Sequence, residues 1–222
     1  MSYIVKEMPA QIPQSDLDLL VQCETATLGH WRLMGFLSRE IQPMLPGKRI
    51  AGTAVTIAIP GPDSTLLHHL LGMLRPGDFV FVDRLHDDRY ACWGGGVTVA
   101  AKAAGAVGAV VDGPCTDREE IVASDFPMWC RGLSPITTRL YDIGGAINVP
   151  VSCGNTVIMP GDAVLADESG VLVLPPDEVA SEAQRAIDRQ KAGKAREAEM
   201  REGKRKLGEA SGATAKVMAK LG

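Results

Sequence analysis

Apolar positions along the chain follow two periods. Leu17, Leu20 and Val21 lie three and four residues apart just after Ser15, which predicts a first helix capped by that serine. The run 50–59, after Pro46-Gly47, is β-branched and small, the pattern of a strand, and Pro60-Gly61-Pro62 ends it. Ser64 is placed to cap a short helix reaching Leu74. The turn Arg75-Pro76-Gly77-Asp78 leads into an apolar strand over 79–83. Beyond it the pattern predicts a helix over 97–104, a buried strand over 107–111 that ends at Asp112-Gly113, and a short helix over 117–123. The segment 126–150 is rich in Pro and Gly and has no clear period. Strands are expected again at 156–158, 163–166 and 171–174.

One pattern recurs. Pro76-Gly77-Asp78-x-Val80-x-x-Asp83 returns as Pro160-Gly161-Asp162-x-Val164-x-x-Asp167. Pro and Gly preset a turn and Asp can bond its own backbone, so a repeated turn-then-strand solution explains the echo. Two related layers of one β-rich core is the other reading, and the simpler one is preferred.

From Asp177 the chain reads as helix. Residues 1–176 are therefore expected to form one domain, N-terminal helix included, and 177–222 a charged C-terminal helix or tail. Val179, Ala183, Ala186 and Ile187 form a narrow apolar stripe at its start, which should dock. Between Glu182 and Glu209 nine Lys or Arg stand against six Asp or Glu, and Gly193 and Gly203 weaken the helix there. Mixed signs argue for a solvated helix over a basic arm for RNA.

Composition narrows the classes. The 222 residues, 45% apolar and 23% charged, suit a globular chain with a sizeable core. A net charge of −4 argues against a general nucleic-acid binder. No apolar run is long enough to span a bilayer and the first residues lack a signal-peptide stretch, so a cytoplasmic protein is expected. Five cysteines, widely spaced and without a CxxC pair, fit reduced thiols and not a structural zinc site. Cys115 lies beside the acidic segment and could be a nucleophile, although a packed thiol is the simpler reading. His30, His68, His69 and His86 are acid–base candidates by type, and adjacent His68 and His69 cannot both face one site on a helix.

The chemistry concentrates between Ala91 and Ile121. Gly94, Gly95 and Gly96 in a row allow positive φ and close approach of backbone to a ligand. Their amides, opening a helix at Val97, suit a carboxylate or phosphate. The loop is neither GxGxxG nor a P-loop. Asp112, Asp117 and Glu120 then bring carboxylates to the mouth of a sheet, which suits a hard divalent cation, but capping and the helix dipole alone also favour Asp at a helix start.

These motifs, together with Ala91-x-Trp93-Gly94, Phe126-Pro127, Arg131-Gly132-x-Ser134-Pro135, Asn148-Val149-Pro150-Val151 and Pro160-Gly161-Asp162, resemble the RraA-like proteins and the 4-hydroxy-4-methyl-2-oxoglutarate (4-carboxy-4-hydroxy-2-oxoadipate) aldolases. That family carries a Gly, twenty residues, Arg-Asp, two residues and an acidic residue; here Gly95 is followed after twenty residues by Thr116-Asp117, then two residues, then Glu120. The resemblance implies an α/β fold of the swivelling β/β/α type with a C-terminal helical extension, and trimers or hexamers with active sites between subunits. It further implies Mg²⁺ or Mn²⁺ held at Asp117, mostly through water, and Asp112 and Glu120 are the expected supporting carboxylates. A small 2-oxo acid would meet the amides of Gly94, Gly95, Gly96 and Val97. C–C cleavage or decarboxylation would then pass through a pyruvate-type enolate that the metal stabilises.

Two positions depart from that pattern. Thr116 stands where the family has Arg, and threonine cannot replace a planar cation. Arg131, or an arginine of a neighbouring subunit, is the expected substitute, because Arg118 points elsewhere on its helix. Gly95-Gly96 stands where relatives carry an acidic residue. Three functions follow: a metal-dependent lyase on a small oxo acid, another metal-assisted reaction such as isomerisation, tautomerisation or hydrolysis, and a non-enzymatic protein-binding regulator.

Overall fold

The structure is a computed structural model and describes residues 2–221. The chain opens with β1 (Tyr3–Val5), α1 (Gln14–Leu20), α2 (Thr25–Leu28) and β2 (Gln42–Pro43). Then β3 (Ile50–Ala58), α3 (Thr65–Leu71), β4 (Asp78–Asp83), α4 (Gly95–Ala103), β5 (Gly108–Cys115), α5 (Arg118–Ala123) and β6 (Met128–Leu133) alternate strand and helix. Short strands β7 (Gly145–Ile147), β8 (Val151–Cys153), β9 (Thr156–Ile158), β10 (Ala163–Asp167) and β11 (Gly170–Leu174) follow, and the chain closes with α6 (Val179–Arg201), α7 (Leu207–Ala210) and α8 (Ala213–Leu221).

The alternation builds the sheet. β3, β4, β5 and β6 lie side by side and parallel, as strands joined by helical crossovers must. The outer edge of β3 is shared. β7 pairs antiparallel with its last residues and β10 antiparallel with its first. The parallel strands are covered on both faces, which explains their unbroken apolar runs. On one face Val80 and Val82 pack with Leu66, Leu67 and Leu70 of α3, Ala101 of α4 and Ile121 of α5. On the other, Phe79 and Phe81 pack with Trp129, Val151, Ile158 and Val164. A third cluster seats Leu17, Leu20 and Leu28 against Leu165, Leu172 and Leu174, with Val179, Ala183 and Ala186 of α6 fully buried. The start of α6 is thus part of the core, while the stretch from Asp188 onward is mostly exposed. Among the described residues no helix is long and apolar enough to cross a membrane.

The repeated Pro-Gly-Asp pattern is a repeated turn. Gly77 and Gly161 sit at φ 91° and 94°, and the turns close with Asp78 N–H on Arg75 O and Asp162 N–H on Met159 O, each at 3.1 Å. These are type II turns, which require φ > 0 at the glycine. In both, the Asp carboxylate accepts the N–H three residues back, at 2.8 and 2.9 Å. The two strands flank β3 in one sheet, with Thr53 facing Asp78 on one side and Ala163 on the other.

Several boundaries differ from the pattern. Ser15 lies inside α1, whose N-cap is Pro13. Ser64 is at the N-cap of α3 but makes no capping bond. Asp63 Oδ1 accepts the Thr65 N–H instead, at 2.9 Å. The aperiodic stretch 126–150 contains β6 and β7, where pairing to neighbours, not periodicity, sets the strand. β5 does not stop at Asp112-Gly113. It bulges between Val111 and Pro114 and continues to Cys115, so Asp112 sits within the strand and not at its mouth.

Candidate active site at the carboxyl ends of the parallel strands

Four loops, one after each parallel strand, surround an open cleft of about 440 Å³. Ser64 and His68 follow β3, Ala91 to Gly94 with Gly96 and Val97 follow β4, Thr116 and Asp117 follow β5, and Thr137 to Leu140 follow β6. Open parallel sheets commonly bind ligands at this end.

Two of these loops are laced together. Trp93 is buried, stacks on Phe126 at 6.0 Å and donates its indole N–H to Thr98 Oγ1 at 3.0 Å, which in turn donates to Gly94 O. The Trp93 carbonyl accepts Thr116 N–H at 2.9 Å. Asp117 follows in the left-handed region, φ 51° and ψ 45°, where Asp is tolerated at some cost. Its carboxylate does not cap α5. Oδ2 accepts the Gly95 N–H at 3.0 Å and Oδ1 accepts the Thr116 hydroxyl at 3.1 Å.

The glycines are explained by contact, not by positive φ, which none of the three adopts. A Cβ on Gly94 would overlap Asp117 Oδ2 and come within 2.8 Å of Thr116 Cγ2. One on Gly95 would overlap the Glu120 carboxylate. At Gly96 a Cβ would meet nothing within 4 Å, so the chain itself does not require glycine there. The Gly95 amide is taken by Asp117, which leaves those of Gly96 and Val97 as first-turn donors of α4 that no helical carbonyl reaches.

Of the expected site residues, the cleft gathers Gly94, Gly96, Val97, Thr116 and Asp117, with Gly95 and Glu120 packed immediately behind. It does not gather Asp112 and Arg131. Asp112 Oδ1 accepts Arg131 Nε at 2.5 Å and its Oδ2 accepts the Gly154 N–H at 3.0 Å; Arg131 also pairs with Glu40. The bulged continuation of β5 is the reason, since it separates Asp112 from Asp117. Partial burial works against the charge of Arg131, but its hydrogen bonds and charge pairing with Asp112 and Glu40 together outweigh it and hold the guanidinium further in its charged form.

Of the four histidines, His68 alone lines the cleft. Cys115 is not a nucleophile in it. The thiol is fully buried, and burial first, then the neighbouring Cys130, pushes it well above the usual thiol range. Cys92 does line the cleft, yet burial raises it to about 11, outweighing the nearby Arg84. A hydrogen bond with Cys115 brings Cys130 down to about 7 against the effect of burial, but it too is buried. All five cysteines are free and buried.

One residue that the sequence did not single out completes the cleft: Arg139, in the aperiodic segment. Its main chain bridges Asp63, with Arg139 N–H on Pro62 O at 2.8 Å and Ser64 N–H on Arg139 O at 2.9 Å. Asp63 anchors the same loop by accepting Tyr141 N–H (3.0 Å) and Ile143 N–H (2.8 Å), besides the amide and hydroxyl of Thr65. Burial would raise this carboxyl, but those hydrogen bonds outweigh it and hold it at about 2.

The family model for RraA-like proteins, described as Aldolase/RraA, matches residues 23–173, which include every loop of the cleft. The chain belongs to the RraA-like family. A Halalkalibacterium halodurans relative, whose name as a 4-hydroxy-4-methyl-2-oxoglutarate aldolase is itself provisional, is 32% identical over 188 residues, covering 83% of this chain and 89% of the relative. A Thermus thermophilus protein named 4-hydroxy-4-methyl-2-oxoglutarate aldolase is 31% identical, covering 57% of this chain and 76% of the relative. The crystal structure of Streptomyces coelicolor RraAS2, described as an unusual member of the RNase ES inhibitor RraA family, superposes with a TM-score of 0.75 at 24% identity, over 86% of this chain and 98% of that one. It establishes the RraA-like fold, to which α6 to α8 add a C-terminal helical extension.

Proposed function

We propose that this RraA-like chain is a divalent-metal-dependent lyase acting on a small 2-oxo acid. The observation that carries the reading is Asp117, a non-glycine residue in the left-handed region whose carboxylate is turned away from its own helix and into the cleft wall beside unpaired helix amides. The relatives named as 2-oxo-acid aldolases point to the same chemistry.

The residues fit a hard cation carried largely by water. Among the described residues no three His, Cys, Asp or Glu side chains converge on a closed cage, but Asp117 offers one exposed carboxylate, with Glu120 close by, and Mg²⁺ characteristically takes one or two carboxylates and keeps its waters. Bound there, Mg²⁺ or Mn²⁺ would supply Lewis-acid polarisation of a 2-oxo group. Asp117 would hold it, with Glu120 in support. The N–H groups of Gly96 and Val97, at the positive end of α4, bind and orient the substrate carboxylate. Trp93 fixes the loop so that these donors are preorganised. His68, the histidine on the cleft wall, is the group placed to move a proton.

Ile136, Leu140 and Tyr141, in and next to the segment 137–140 that lines the cleft, are exposed, and we propose that a second copy of the chain covers them in a trimer or hexamer. A protein-binding regulator is the second reading. It is favoured by similarity to a Thermus RraA described as an RNA-processing inhibitor, whose solved structure is 26% identical with a TM-score of 0.59. The deciding experiment is a screen of 2-oxo acids with Mg²⁺ and Mn²⁺, reading pyruvate. Metal-dependent release is expected. Its absence across all substrates would overturn the lyase and leave a different metal-assisted reaction or the regulator.

A further inference from the structure

The lyase reading leaves a charge unaccounted for. An oxo acid entering the cleft meets the carboxylates of Asp117 and Glu120, and the position beside Asp117 brings only a hydroxyl, which donates to Asp117 Oδ1 at 3.1 Å. Arginine is the side chain suited to the task, since its planar fork matches a carboxylate. At this end of the sheet Arg131 is committed to Asp112 and Glu40, and the fully buried Arg84 is tied through Nη2 to Asp87 and two carbonyls, its Nε and Nη1 buried without a partner; Arg89 and Arg118 form no ion pair among the described residues but do not line the cleft.

Arg139 is different on three counts. It lines the same cleft as Gly96, Val97, Thr116 and Asp117. It forms no ion pair among the described residues. It is also held in place: the backbone is clamped between Pro62 and Ser64, and Nη1 donates to Thr137 O, Thr137 Oγ1 and Thr138 O at 3.0, 2.9 and 3.1 Å. Nε and Nη2 donate to no protein acceptor among the described residues. An arginine with one end pinned by neutral oxygens and the other end unpaired has already lost much of the freedom that binding would cost it.

We infer that Arg139 is the substrate-binding cation of this chain, supplying from the loop after β6 the charge that Thr116 lacks, with a carboxylate of the oxo acid as its partner. The inference rests on the lyase reading for the identity of its ligand. Asp63 is then a positioning residue, because it ties the Arg139 loop to the start of α3. The role has moved from one loop to another within the cleft, which explains how Thr116 can stand at its position beside an otherwise complete site.

The test uses the full chain with Mn²⁺ and oxalate, a planar dianion resembling the enolate of pyruvate. Oxalate affinity is measured by calorimetry for wild type, Arg139→Lys and Arg139→Gln, alongside kcat and KM for pyruvate release and a melting curve. Arg139→Gln is expected to weaken oxalate on the order of a hundredfold, the scale of a lost charge-assisted hydrogen-bond pair. Arg139→Lys, which keeps the charge and loses the fork, should retain part of the affinity. Thr116→Arg placed in the Arg139→Gln background should recover part of it, by returning a guanidinium to the cleft from the loop after β5. Oxalate binding by Arg139→Gln within about twofold of wild type, with the same melting temperature, would overturn the inference even if pyruvate release proves the lyase. Conversely, Arg139-dependent oxalate binding without turnover of any oxo acid sinks the lyase reading and leaves the cation site standing.

Discussion

Asp117 Oδ2 accepts the main-chain N–H of Gly95 at 3.0 Å, across twenty-two residues of sequence. The bond joins the loops after β4 and β5 and takes the first amide of α4, so a ligand carboxylate is left the amides one and two residues further on. Close by, Asp117 and Glu120 occupy the space that side chains on Gly94 and Gly95 would need, so either substitution requires one of them to move.

Asp117→Asn keeps the volume, and its carbonyl oxygen can still accept from Gly95. The fold should survive, with a melting temperature within a few degrees of wild type. Loss of the anionic ligand should weaken Mn²⁺ and lower oxo-acid turnover by at least about a hundredfold. Manganese titration followed by electron paramagnetic resonance reads the first effect independently of turnover, and unchanged binding would move the metal elsewhere.

The glycines should separate stability from function. Gly95→Ala places its methyl against the carboxyl end of the exposed Glu120 side chain, which must turn aside, and is expected to be less stable than Gly96→Ala by about 1 kcal/mol in chemical denaturation. Gly96→Ala meets no atom within 4 Å and gains helix propensity of up to about 1 kcal/mol, yet its methyl would crowd the amides offered to substrate. Equal or raised stability with raised KM is the expected result for Gly96→Ala. A destabilised Gly96→Ala with normal KM would contradict it.

Asp63 should confer an acid-sensitive component of stability. Its folded carboxyl is held at about 2, below the ordinary 3.8. A depressed carboxyl stabilises the fold fully above the unfolded value and loses that contribution as pH falls from about 4 toward 2. The contribution at neutral pH is on the order of 2 kcal/mol. Asp63→Asn should therefore be less stable at pH 7, with the difference from wild type shrinking below pH 4 in urea titrations. A difference that does not depend on pH would show that the Asp63 charge is immaterial.

The exposed rim of Ile136, Leu140 and Tyr141 should lie at a contact between copies. Light scattering of wild type at micromolar concentration is expected to give a trimer or hexamer, and Leu140→Asp to shift it toward monomer with reduced turnover. A monomeric wild type that is fully active would mean that the cleft is complete within one chain.

Much of the scaffold was legible. The strand and helix patterns from Ile50 to Ala123 marked the elements of the sheet, because strands buried on both faces are continuously apolar, while their parallel pairing emerged only in the assembled structure. The narrow stripe at Val179, Ala183 and Ala186 marked the helix start that docks. The resemblance to the family's motif singled out Gly95, Asp117 and Glu120, three groups that do meet in space. The segment 126–150 was opaque. Its strands are short and are held by partners far away in sequence, and such pairing leaves no local period.

Sequence alone therefore determined the elements and the residues that approach one another through a short, regular strand–loop–helix path. Tertiary structure decided which charges share the cleft. The continuation of β5 as extended chain from Asp112 to Cys115, past the bulge between Val111 and Pro114, keeps Asp112 and its partner Arg131 away from Asp117. The buried carboxylate of Asp63, far from Arg139 in sequence, ties the loop that brings Arg139 in. Neither event has a signature in spacing, because each depends on hydrogen bonds between segments that only the assembled sheet places side by side.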